Sequence, residues 1–73
     1  MKSILIIGLG RFGRHMAIKF IEEGNSVLAV EKEEDRADNS INVIKNIQIG
    51  DATNEIFIES LGVSNFDLCV VAV

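Results

Sequence analysis

The stretch ILIIGLGRFG, Ile4 to Gly13, limits this chain more than any other. Four apolar residues are followed by glycines at positions 8, 10 and 13. Glycine loses the most backbone entropy on folding and adds no side chain to a core. Glycines this dense, set directly behind a strand-like run, predict a tight backbone turn that opens a helix. Ser3 to Ile7 reads as a strand, apolar on both faces as in buried parallel sheets. Arg11 to Glu23 reads as a helix. Phe12, Met16, Ala17, Phe20 and Ile21 form its apolar stripe, and Gly24 takes the left-handed position that ends it.

The same alternation continues. SVLAVE is a second buried strand. KEEDRADNSINVIKN is polar, with Ala37, Ile41 and Ile44 at helical spacing, and predicts a helix from Glu34 to Ile41 that gives way to a loop. NIQIG is a short strand. Thr53 predicts an N-cap for a helix over Glu55 to Leu61, closed by Gly62. FDLCVVAV is a fourth strand. Strands alternating with helices imply a parallel sheet with right-handed crossovers. The fold class is therefore α/β: an open parallel sheet of four strands with three helices, and analogy with Rossmann-like folds gives the strand order 3-2-1-4. At 73 residues the chain is one small domain.

The pattern Gly8-Leu9-Gly10-Arg11-Phe12-Gly13 is weak alone. Its context strengthens it: a strand before, a helix after, and an acid, Glu31, ending the next strand. Glu31 follows at close to the spacing of about 20 residues seen in dinucleotide-binding folds. Gly8 permits the tight turn, Gly10 lets a pyrophosphate approach the backbone, and Gly13 lets helix and sheet pack closely. The helix N-terminus then offers free N–H groups and a positive dipole end to phosphates. Arg11 and Arg14 in its first turn oppose that dipole, which points to a bound anion. Glu31 would accept from the ribose hydroxyls of an adenosine. Its charge disfavours NADP against NAD, ATP or ADP, and Lys32 beside it weakens that discrimination slightly. The plainer reading is a strand–turn–helix whose glycines serve packing alone.

Gly50 to Asn54, GDATN, stands at another strand's carboxyl end, where ligands of open parallel sheets lie. Asp51 there either meets an adenine edge or, with Thr53, simply builds a turn and a cap. Spacing leaves the two readings equal. His15 reads as a surface residue. EKEEDRAD reads as a solvated charged run and not a metal site. No catalytic or metal-binding set emerges.

Composition narrows the partners. Net charge is −4 with basic residues scattered, which disfavours a nucleic-acid groove. No apolar run is long enough to cross a bilayer, and no signal peptide is visible. Cys69 is the single cysteine, so no internal disulfide forms. It suits a reducing compartment and is expected as an inert filler of the core.

At IIGLGRFGRHMA, GNSVLAVEKEEDR, IQIGDATNE, IESLGV and FDLCVVAV the sequence resembles the N-terminal RCK or KTN (TrkA-N-like) domain that regulates potassium channels and Trk/Ktr potassium uptake systems. The resemblance spans the chain, which then reads as the N-terminal part, residues 1–73, of one such domain. It implies a cytoplasmic module, peripheral to the membrane through a transporter or channel subunit. That module binds NAD(H) or ATP/ADP, assembles as dimers within rings, and gates potassium flow as nucleotide changes the ring's shape. Gly8, Gly10, Arg11, Phe12 and Gly13 match the phosphate loop. Glu31 matches the ribose acid, where many members carry Asp. Asp51, Ala52 and Thr53 match the loop beside the adenine.

A family domain continues for two further strands. A chain of this length is therefore expected to be an excised fragment or a split half. Its fourth strand would be an apolar edge, and it would pair as a dimer or higher oligomer. Two other readings stand beside regulation: the nucleotide-binding fragment of an NAD-dependent dehydrogenase, and an oligomerisation fragment with no ligand. A dehydrogenase needs a proton donor beside the nicotinamide, and this chain has one histidine, no tyrosine and no second domain.

Overall fold

Strand β1, Ser3–Ile7, lies at the centre of the sheet, between β2 (Ser26–Glu31) and β4 (Leu68–Val71). The structure is a computed structural model and describes residues 1–72. Strand β3, Ile47–Ile49, completes the sheet outside β2, and every pairing is parallel. The order is β3-β2-β1-β4, as analogy with Rossmann-like sheets predicts. Helices α1 (Arg11–Glu22), α2 (Glu34–Ser40) and α3 (Glu55–Ser60) connect the strands in turn. A 3-10 turn over Val63–Asn65 precedes β4.

The centre of a sheet is covered on both faces, and β1 shows why its run is apolar throughout: Ile4, Leu5 and Ile6 are all buried. Register puts Ile4 beside Val27, and Ile6 beside Ala29 and Val70. These residues share one face and form the core with Ala17 of α1, Leu9 and Ile44. Met16, Phe20 and Ile21 of the predicted stripe of α1 pack against it, but Phe12, expected in the same stripe, is 77% exposed because the first turn of α1 faces the open end of the sheet and not the core. Leu5 lies on the opposite face, level with Leu28 and Cys69. A right-handed return from β3 to β4 carries α3 across that second face.

Helix ends follow local chemistry. Gly24 stands at φ 90°, with its N–H on the Ile21 carbonyl and the Asn25 N–H on the Phe20 carbonyl. That pair of bonds is the Schellman motif, and it ends α1 where the sequence predicts. α2 stops one residue short of expectation, with Ile41 as its C-cap. The chain beyond it is anchored by Ile44, which is fully buried.

Three further expectations are corrected. Asn54, not Thr53, caps α3: its side chain accepts from the Phe57 N–H at 3.0 Å. Thr53 is drawn away because its N–H and hydroxyl both donate to Asp51 Oδ1, at 2.9 and 2.7 Å. Cys69 is exposed, not buried. It sits on the edge strand, on the face of Leu5 opposite the core cluster, and α3 buries none of its own residues. The fourth strand is shorter than FDLCVVAV: it begins at Leu68, and Val73 lies outside the described residues.

Candidate functional site

The carboxyl ends of β1, β2 and β3 meet at one place because the sheet's ladder runs on into the loops. The Gly8 N–H donates to the Val30 carbonyl at 2.8 Å, and the Gly50 N–H to the Glu31 carbonyl at 3.0 Å. Across β1, the Ala72 N–H donates to the Ile7 carbonyl at 2.8 Å. These bonds align the glycine turn, the end of β2 and the GDATN loop around a cavity of about 480 Å³. Gly8, Gly10, Arg11, Phe12, Glu31, Lys32, Asp51, Ala52 and Thr53 all line it. Nine of the ten residues singled out in the sequence therefore share one wall-to-wall space.

Gly13 is the exception, and its role is packing. A Cβ there would land on the Gly8 carbonyl oxygen. The start of α1 thus rests directly on the turn that leaves β1. Gly8 itself has φ 101°, a conformation side chains rarely adopt. Gly10 is different again. A Cβ there would meet no protein atom within 4 Å. The fold does not need glycine at this position, so the free space fits a group brought in from outside.

Charge completes the cradle. Gly10 is the N-cap of α1 and makes no side-chain cap. The first helical bond runs from the Arg14 N–H to the Gly10 carbonyl, so the N–H groups of the first turn are left for a ligand. No acid stands in that turn, whereas α2 carries Glu34 and Asp35 and α3 carries Glu55. A positive helix end with no carboxylate of its own suits a phosphate.

The Glu31 side chain is buried, at 3% exposure, and both its oxygens are engaged. Oε1 accepts from the Leu9 N–H at 2.6 Å, and Oε2 from the Glu33 N–H at 2.8 Å. The acid therefore ties the glycine turn to the end of β2. Each oxygen keeps a second lone pair, so it retains acceptor capacity toward a sugar hydroxyl.

Asp51 is exposed. The Thr53 N–H and hydroxyl donate to its carboxylate, and Lys32 adds an attractive charge, so its pKa lies below the ordinary value despite a small opposing desolvation. Lys32 thus acts on the cavity side. His15 is exposed and stands outside the cavity. Among the described residues, no group of three His, Cys, Asp or Glu side chains could hold a metal.

Ile7, Val30, Arg36, Gly50 and Ala72 also line the cavity; of these, sequence reasoning noted only Gly50, as the start of the GDATN stretch. Four are strand ends whose membership follows once the sheet order is known. Arg36 carried no motif. Its only signal was a lone cation in the acidic opening of α2.

The TrkA-N domain family model matches residues 4–73. The chain belongs to the TrkA-N family. Over 72 residues it is 38% identical to the Ktr system potassium uptake protein C of Bacillus subtilis (strain 168), covering 99% of this chain and 33% of that protein. It is 35% identical to the Ktr system potassium uptake protein A of the same organism, over 99% of this chain and 32% of that protein. A third relative, the Ktr system potassium uptake protein A of Vibrio alginolyticus, is 29% identical over 72 residues, 99% of this chain and 33% of its own length. The chain spans about a third of the length of these curated TrkA-N relatives.

Proposed function

We propose that this TrkA-N domain is a nucleotide-binding regulatory module that controls potassium transport across the membrane. Its ligand is an adenine nucleotide, NAD(H) or ATP/ADP. The phosphates lie against Gly8, Gly10 and the first turn of α1, with Arg11 and Phe12 beside them and Gly13 holding the helix in place. Glu31 accepts from the ribose, next to Lys32. Asp51, Ala52 and Thr53 flank the adenine. One observation carries the reading: the uncapped, acid-free start of α1 opens into a 480 Å³ cavity at the spot where a side chain on Gly10 would meet no protein atom.

Binding controls a partner only through a difference in affinity between two shapes of the assembly. We place the domain at the inner side of the membrane, against a potassium transporter or channel subunit, in a homo-oligomer. Among the described residues no helix is long and apolar enough to cross a membrane. Exposed apolar side chains, Ile56 at 79%, Phe12 at 77% and Val71 at 65%, support contact with other protein surfaces. We read the module as a binder and not an enzyme, in keeping with relatives named as potassium uptake proteins.

Calorimetric titration of the chain with NAD, NADH, ATP and ADP tests this. At least one binds saturably, and Gly10→Val, which has room to fold, abolishes the heat. A folded wild-type chain that binds none of the four would end the nucleotide reading. Turnover of a substrate with NAD would replace it with the dehydrogenase.

A further inference from the structure

A second cleft, of about 380 Å³, lies between α1 and α2 on the other side of the glycine turn. Arg11, Arg14 and Arg36 line it, with Asn39 and Ser40. These are all the arginines in the chain; none of its four lysines and no carboxylate lines the cleft. Arginine differs from lysine in offering a planar fork of donors that matches a phosphoryl group. Among the described residues none of the three guanidinium groups donates a hydrogen bond. Three like charges around one space repel each other unless an anion stands among them.

Ser40 supplies an independent observation. It is 1% exposed, and its hydroxyl is the one buried side-chain polar atom without a partner among the described residues. An orphaned buried hydroxyl costs free energy and calls for an explanation. Ser40 lines the cleft, and its hydroxyl is both a donor and an acceptor.

We propose that this cleft binds a phosphoryl anion, held by Arg14 and Arg36 with Asn39 and Ser40 as hydrogen-bonding partners. Arg11 and Arg36 border both cavities, so the anion sits beside the candidate nucleotide site. It is either a free phosphate or a phosphoryl group carried by the neighbouring ligand. Arg14, Asn39 and Ser40 line this cleft alone, which separates it from the nucleotide reading.

The test is an amide chemical-shift titration of the full chain with inorganic phosphate, at ionic strength held constant with sodium chloride. Saturable shifts are expected at Arg14, Asn39 and Ser40. Arg14→Gln weakens phosphate binding about tenfold, the loss of one charge-assisted partner. Arg14 is exposed, so the variant stays folded. A parallel titration with ADP identifies the source. The same three shifts with ADP, displaced by phosphate, mean a nucleotide-borne group; shifts at Asp51 to Thr53, with phosphate still binding, mean a free anion. Non-saturating shifts, shifts at the GDATN loop with phosphate, or unchanged affinity in Arg14→Gln would overturn the proposal.

Discussion

Among the described residues, every buried one lies between Ile4 and Ile44; from Lys45 to Ala72 none does. The first region holds its elements together through side chains. Ile4, Ile6, Val27, Ala29 and Ile44 interlock beneath α1. The second region is attached mainly through its backbone. β3 and β4 dock on the sheet's two sides by ladder bonds, and α3 is fixed by the Asn54 cap and the Asp51–Thr53 turn. Yet both regions supply walls of the same cavity. One half of the site is rigidly built, and the other is held by bonds that water can contest. Local opening is easiest where few apolar side chains are buried, so a ligand would order the second region more than the first.

Two glycines break this contrast most sharply if it is wrong. Gly13→Ala drives a Cβ onto the Gly8 carbonyl, backbone against backbone, and is expected to destabilise by about 4 kcal/mol in urea unfolding. Gly50→Ala drives a Cβ onto the Phe57 ring, which is half-buried and free to swing aside. Its expected cost is about 1 kcal/mol. Equal losses would mean that the second region is as tightly packed as the first.

The core and the exposed helix make the same comparison with truncations. Ile6→Ala empties a fully buried position and should cost about 3 kcal/mol. Ile56→Ala, at a site 79% exposed, should cost no more than about 0.5 kcal/mol. A larger loss at Ile56, appearing only at high protein concentration, would instead report an interface.

The smallest effect is electrostatic. The folded pKa of Asp51 is depressed, so its contribution is present above the unfolded value and is lost as pH falls through the folded one. Carboxyl carbon shifts measured against pH should place Asp51 below an ordinary aspartate. Thr53→Val removes the hydroxyl donor but keeps the backbone N–H, which is the larger cause. It should raise the value only part of the way. A full return to the ordinary value would make the hydroxyl, not the backbone, the dominant partner.

Much of the site was legible because its chemistry is local. Gly8, Gly10 and Gly13 carry their roles in spacing, and Glu31 and the GDATN loop sit at strand ends that periodicity can find. Other features were illegible for definite reasons. Asn54 and Thr53 are both capable caps, and only the competition for Asp51 decides between them. Cys69 has apolar neighbours in the sequence, but its exposure depends on what α3 covers. Arg36 looked like one more charge on a polar helix until folding brought it beside Arg11 and Arg14.

By itself the order of residues determined the strand–helix alternation and the glycine turn, since each follows from short-range sterics and hydrophobic period, whereas the strand order came from analogy with open α/β sheets. Tertiary structure alone decided that the Glu31 carboxylate turns back to the Leu9 amide, and that Arg36 joins Arg11 and Arg14 around the cleft that Ser40 also lines. Such outcomes depend on distances between elements, which the packing of α1 and α2 on the sheet sets and no local rule contains.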